Sequence, residues 1–381
     1  MRGVPPGRVA AAALVLAAAV AAVAAPAPPP APFPPSGARE REERAAAKIE
    51  KGAAALRASD FETAASFFRA ALDLSPSSSD ARVGLALAEI RLGRDESALT
   101  VVLDGLAAEP AHAGLREIHG DLRNRQEDVE GALGAWSEAF RLAPSDRLRE
   151  KIVKAERELH AGRGYTFSAT PHFNLRHDGA LDPELAEEIA GWLEERYRDL
   201  ADAFRHGVPQ PVTVLLYPDR EFRDVTQASE RVAGVYDGKV RVPLGGIRHL
   251  DPRARAVLTH ELTHAVVHSK TRGNCPRWLH EGLAQKFEGR TIGSAEREDI
   301  AALLAGGDPA AWALREDLSY PAALAFVTFL ERERGFGALV NALERLGEGD
   351  DPDAALRFAF SADLRELCRR FAADLPSEAR R

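Results

Sequence analysis

The sequence predicts an α+β chain: an all-α helical-repeat solenoid, then a second domain that joins a small sheet to a helical half. Three observations predict it. Prolines recur every 34 residues at helix ends, at Pro76, Pro110 and Pro144. After Ala161-Gly162-Arg163-Gly164 the pattern changes from helical periodicity to strand alternation. A helix-like run from Asp251 to His268 then carries His260-Glu261-Leu262-Thr263-His264, two histidines one turn apart.

The chain begins with a leader. Arg2 and Arg8 precede an apolar run from Val9 to Ala25, and Ala22-Val23-Ala24 offers a small-x-small cleavage site. Residues 1–25 read as a secretory signal peptide. That predicts export to the periplasm or the extracellular space. The run is shorter than the roughly 20 residues a spanning helix needs, so a membrane anchor arises only if the leader stays uncleaved. No cysteine follows the run for lipidation. Residues 26–40 begin with a Pro/Ala tract, Pro26 to Pro35, that reads as a semi-rigid spacer.

Residues 41–160 carry the repeats. Each of the three prolines follows an apolar helix end, such as Ala71-Leu72-Asp73-Leu74-Ser75-Pro76. The same offset recovers small residues at Gly52, Ala86 and Gly120, then at Ala64, Ala98 and Ala132. Phe68, Val102 and Trp136 fill a shared large apolar position. This resembles the tetratricopeptide repeat, a helix–turn–helix of 34 residues. We count three repeats over about Arg44–Pro144, the middle one degenerate, and a charged capping helix from Ser145 to His160. The resemblance implies a concave face suited to a peptide or protein partner, and no catalytic chemistry. The Gly162–Gly164 break predicts that the two domains fold separately.

Beyond the break, His172 to His177 alternates as a strand and Asp182 to Phe204 is a long amphipathic helix. Pro211 to Tyr217 is a buried strand, and Glu221 to Ser229 a short helix. Val235 to Val242 is a hairpin turning at Asp237-Gly238. After the His260–His264 helix the chain is helical: Ser294–Leu304, Pro321–Arg334, Gly337–Gly347 and Asp353–Ala373, the last with breaks.

H-E-x-x-H places both imidazoles where one zinc ion can be reached, with Glu261 beside the metal's open position as general base. A zinc enzyme of this kind needs a third ligand. Cys275-Pro276-Arg277-Trp278-Leu279-His280-Glu281-Gly282-Leu283-Ala284-Gln285-Lys286-Phe287 supplies one, because the apolar residues suggest a turn into a second buried helix with Glu281 near its start. Two other histidines compete. No glycine lies between His264 and His268 to turn the chain back, so the helix carries His268 about 6 Å further along its axis. His280 neighbours Glu281, and adjacent helical residues face different ways.

Taken together, His260, Glu261, His264, Trp278, Leu279, Glu281, Gly282 and Ala284 resemble the gluzincin metallopeptidases, and most closely the peptidase MA-like proteins. The specific motifs occupy about Leu258–Phe287 of a domain spanning residues 165–375. The resemblance implies a zincin-like fold and one Zn2+ on His260, His264 and Glu281. It also implies a downstream tyrosine that donates to the oxyanion; Tyr320, opening the helix that ends before Gly335-Phe336-Gly337, stands where such sequences carry it. Gln285, one turn after Glu281, is a partner that could orient a zinc ligand. By analogy of order, Lys239 to Leu244 is the edge strand that pairs with extended substrate. Nothing near Gly245-Gly246-Ile247-Arg248 matches an exopeptidase signature.

The charge balance is mildly acidic, −8 over 381 residues, with both signs scattered. It offers no basic stripe for nucleic acid. Two cysteines, Cys275 and Cys368, are too few and too far apart for a zinc ribbon. In an oxidising compartment they can pair, tying the last helix to the site, or stay as buried thiols. The sequence thus predicts an exported zinc metallopeptidase whose repeats recruit a peptide or protein substrate or a partner. The alternative is a cell-envelope scaffold whose repeats bind partners and whose peptidase-like domain does little chemistry.

Overall fold

In the computed structural model the described residues are 36–162, 164–179, 181–226, 234–244, 247–305, 310–314 and 319–378. The predicted signal peptide and the Pro/Ala tract lie outside them, as do residues 227–229 of the predicted short helix and Gly245-Gly246. Contacts divide the chain into residues 1–40 and Arg41–Arg381, the second a single compact unit. Among the described residues, no helix is long and apolar enough to cross a membrane.

Seven helices come first: α1 (Ser36–Arg57), α2 (Phe61–Leu74), α3 (Ser79–Arg91), α4 (Asp95–Ala108), α5 (Ala113–Arg125), α6 (Val129–Leu142) and α7 (Asp146–Ala161). From α2 to α7 each helix packs on the next. The second helices of the three pairs start at 61, 95 and 129, so the 34-residue period is one of structure. It extends to the backbone. Ser59, Gly93 and Glu127, also 34 apart, hold φ of 59°, 73° and 66° in the turns within the pairs. Packing explains the small positions: a Cβ at Gly52 would crowd the Phe68 ring at 2.9 Å, and one at Gly120 would clash with Trp136. Asp60 and Asp128 cap α2 and α6 through Thr63 N and Gly131 N.

The second half runs β1 (Tyr165–Ala169), β2 (Phe173–Asp178), α8 (Pro183–Phe204), β3 (Val212–Tyr217), α9 (Asp219–Thr226), β4 (Val235–Tyr236) and β5 (Val240–Pro243). Then come α10 (Pro252–Thr271), α11 (Arg277–Phe287), α12 (Ser294–Ala305), a 3-10 turn (Ala311–Leu314), α13 (Tyr320–Arg334), α14 (Phe336–Gly347), α15 (Pro352–Phe360) and α16 (Leu364–Glu378). The five strands order as β1-β2-β3-β5-β4. The inner pairs β2/β3 and β3/β5 are parallel and the outer pairs antiparallel. All six residues of β3 are buried, as a strand covered on both faces requires. One core joins the sheet to α8, α10, α11 and the helices that follow.

One sequence expectation needs correction, and of the two alternatives for the cysteines the structure has the thiols. β5 is not an edge strand. The Asp237-Gly238 turn, with Gly238 at φ 97°, folds β4 back onto its open side, through Val235 opposite Arg241 and Tyr236 opposite Val240. No disulfide joins Cys275 and Cys368. Each side chain is drawn into the apolar core, and α13 packs on both their helical neighbours, α11 and α16.

The halves meet through charge. Glu158 of α7 reaches Lys239 and Arg241 of the hairpin at 2.8 and 2.7 Å. The end of α3 and the turn between α5 and α6 also touch the second half: Arg91 Nε donates to the Arg272 carbonyl at 3.2 Å, and Glu127 lies 3.5 Å from Lys239.

Candidate metal centre

α10 opens on Asp251, whose side chain accepts from Ala254 N, with Pro252 in the first turn. It runs unbroken to Arg272, which ends it in the left-handed region at φ 51°. His260 and His264 therefore sit one turn apart, ring edge to ring face, their Nε2 atoms 3.1 Å from each other. α11 starts after Pro276 and buries Trp278, Leu279 and Leu283. Its roll is fixed by a close crossing: a Cβ on Gly282 would stand 2.5 Å from the Ala323 carbonyl oxygen of α13. The neighbouring Glu281 then faces α10. Its Oε2 lies 3.7 Å from His260 Nε2 and 3.6 Å from His264 Nε2.

Among the described residues, His260, His264 and Glu281 form the one group of three or more potential ligands within reach of a common ion. Donors about 2.1 Å from a tetrahedral zinc lie about 3.4 Å from each other. The observed edges, 3.1, 3.6 and 3.7 Å, bracket that figure. The chemistry of the donors agrees. His260 Nδ1 lies 2.8 Å from Glu288 Oε2, and an ionised carboxylate only accepts. In the neutral ring this contact favours the proton on Nδ1, which leaves the Nε2 lone pair for the triangle.

Burial alone would depress His260, but Glu281 and Glu288 outweigh it and raise it to about 10. Burial, with His280 and His260 nearby, pushes His264 down to about 2. Glu261 is 5 % exposed. Burial, opposed by His260 and reinforced by Glu281, raises its carboxyl to about 8. Its Oε2 is buried without a hydrogen-bond partner. The Gly234 backbone closes over the other oxygen, since a Cβ there would come within 2.7 Å of Glu261 Oε1.

The remaining expected residues fall as follows. His268 stays outside the triangle and meets the Tyr236 ring edge-on at 5.7 Å. His280 stacks on the His264 ring at 4.3 Å and 11°. Tyr320 opens α13, 40 % exposed, its hydroxyl 3.5 Å from Arg277 Nη2. Gln285 does not orient a ligand side chain, contrary to expectation. Its Nε2 donates to the carbonyls of Glu281 at 3.1 Å and Tyr320 at 2.9 Å, and its Oε1 accepts from Arg290. It thus ties α11 to the turn that presents Tyr320. The sequence reading missed Glu288. Its signal was available: Glu288 is seven residues after Glu281, two turns along the same helix face.

A family model described as "Tetratricopeptide repeat" matches residues 55–119. A search of curated proteins returned no match. Similar solved structures include the first TPR domain of human RPAP3, at 18 % identity over 31 % of this chain and 94 % of that one, TM-score 0.30. The TPR2AB domain of yeast Sti1, in complex with pHSP90, aligns at 15 % identity over 80 % and 98 %, TM-score 0.31. The P58(IPK) TPR domain aligns at 14 % identity over 88 % and 99 %, TM-score 0.30. Assignment of tetratricopeptide repeats rests on the family match and the 34-residue spacing of helices and turns. Such repeats point to protein–protein interaction.

Proposed function

We propose that this chain is an exported zinc metallopeptidase of the peptidase MA-like, gluzincin kind, whose repeats bind a protein partner or substrate. One observation carries the catalytic part: three donor atoms 3.1 to 3.7 Å apart beside a buried carboxylate whose Oε2 has no partner. Residue order supports it, with a small mixed sheet before the helix of His260 and His264 and a helical half after Glu281. Export rests on the leader sequence alone.

His260, His264 and Glu281 would hold the zinc. Bound there, it would supply Lewis acidity, lowering the pKa of water and polarising a peptide carbonyl. Glu261 would take the proton from the attacking water and hand it to the leaving amine. Its position suits this, buried beside the triangle with one oxygen against the Gly234 backbone and the other without a hydrogen-bond partner. Tyr320 would turn its exposed hydroxyl from Arg277 to the developing oxyanion once substrate is seated. Gln285 would keep that turn of α13 in place.

A second reading starts from the family match, which concerns the repeats. In it the chain is a scaffold in the cell envelope, and the second half binds metal but does little chemistry. Glu261→Gln separates the two. As an enzyme, the variant should keep its zinc and lose peptide hydrolysis by at least about 10²-fold. Equal turnover by wild type and variant would leave the scaffold as the function.

A further inference from the structure

We infer that Glu288 is the positioning residue that fixes His260 as a metal ligand; this rests on the zinc reading above. α11 carries Glu281 and Glu288 seven residues apart, about 10 Å along one face. The two carboxylates bracket a single imidazole. Glu281 Oε2 stands 3.7 Å from Nε2, and Glu288 Oε2 stands 2.8 Å from Nδ1. One helix therefore contributes a ligand to the site and also holds the far side of a second ligand. With the Nδ1 proton committed to Glu288, the ring cannot rotate or change tautomer without breaking a charge-assisted hydrogen bond.

Three further observations single out Glu288. It closes α11, where its own N–H bonds to the Ala284 carbonyl at 3.0 Å, so the backbone that aims it is fixed. Gln285, the nearer polar residue, spends its amide on carbonyls and accepts from Arg290. His264 is held differently: its Nδ1 is buried without a partner, and His280 packs flat on its ring. Hydrogen-bond orientation of a ligand histidine by a carboxylate thus falls on His260 alone, and the stacking at His264 cannot replace it.

The test uses the full chain with Glu288→Ala, Glu288→Gln and Gln285→Ala, each checked by thermal melt. Zinc affinity is read by competition with a chromophoric chelator, and the His260 Nδ1–H proton of the zinc-loaded protein by ¹⁵N-edited NMR. Glu288→Ala should bind zinc about 10–100-fold more weakly and lose the slowly exchanging Nδ1–H signal. Glu288→Gln, whose amide oxygen still accepts, should fall between it and wild type. Gln285→Ala should change affinity less than either. Unchanged affinity and an unchanged Nδ1–H signal in Glu288→Ala would overturn the inference and leave the zinc reading standing. Wild type that binds no zinc would overturn both.

Discussion

Glu158 on α7 accepts from Arg241 Nη2 on β5 at 2.7 Å, and both side chains are buried. The pair spans the two halves of the chain. The same carboxylate takes Lys239 Nζ at 2.8 Å, and Arg241 also donates to the Tyr217 hydroxyl at 2.7 Å. Lys239 and Arg241 are only 3 % and 2 % exposed. Cations buried this deeply are tolerated because α7 brings them a counter-charge.

Removing that counter-charge should therefore destabilise the second half. Glu158→Ala is expected to lower the unfolding free energy by about 3 kcal/mol, the low end of the cost of breaking a buried ion pair, because Asp237 still faces Arg241 and Glu127 still faces Lys239. A urea midpoint equal to wild type would refute this. A chain beginning at Gly164 loses Glu158 and Glu127 together. It should be less stable and less soluble than the full chain, although the glycine-rich break by itself suggests separate folding. A soluble, zinc-binding fragment with the melting temperature of the full chain would show that the repeats are a free arm.

Acid should release the same contact. Burial alone would raise the Glu158 carboxyl, but Arg241 and Lys239 outweigh it and hold it below the ordinary range. Asp237 is likewise held low, against burial, by Arg241 and Lys154. A folded-state pKa below the unfolded one gives stability that is full above the unfolded value and lost as pH falls through the folded value. Wild type should thus lose stability below about pH 4. Glu158→Gln should show a shallower loss over that range. Parallel stability–pH curves would exclude Glu158 as the group responsible.

Zinc should bind one site and stabilise the fold. Added at about 100 times its Kd, it should contribute about 2.7 kcal/mol, read as a rise in melting temperature that a chelator reverses. His264→Ala and Glu281→Ala should each abolish the rise and most of the bound metal. His280→Ala, which removes a stacking partner only, should retain zinc. If Glu281→Ala keeps full zinc and His280→Ala loses it, the ligand set is wrong.

Tyr320→Phe removes only a hydroxyl at an exposed position, so folding and zinc content should survive. Loss of one oxyanion donor typically costs about 10²–10³ in kcat, and here it should fall on kcat more than on KM. Unchanged kcat would return Tyr320 to its contact with Arg277.

What the sequence determined by itself is local. A 34-residue period fixes where the helices and turns of the repeats fall, because each repeat is one helix pair whose small and large residues must meet its neighbours. The i, i+4 spacing of His260 and His264 puts both rings on one helix face whatever surrounds them. The parting of Cys275 from Cys368 could not be read this way, nor could the burial of Lys239 and Arg241 under α7. These depend on which faces of distant segments meet. Gly282 shows the reason. Its missing side chain lets α11 close on the Ala323 carbonyl of α13, and that contact between segments about 40 residues apart sets the roll that turns Glu281 and Glu288 toward α10. Spacing along one helix fixes which residues share a face, but only the packed neighbour fixes what that face meets.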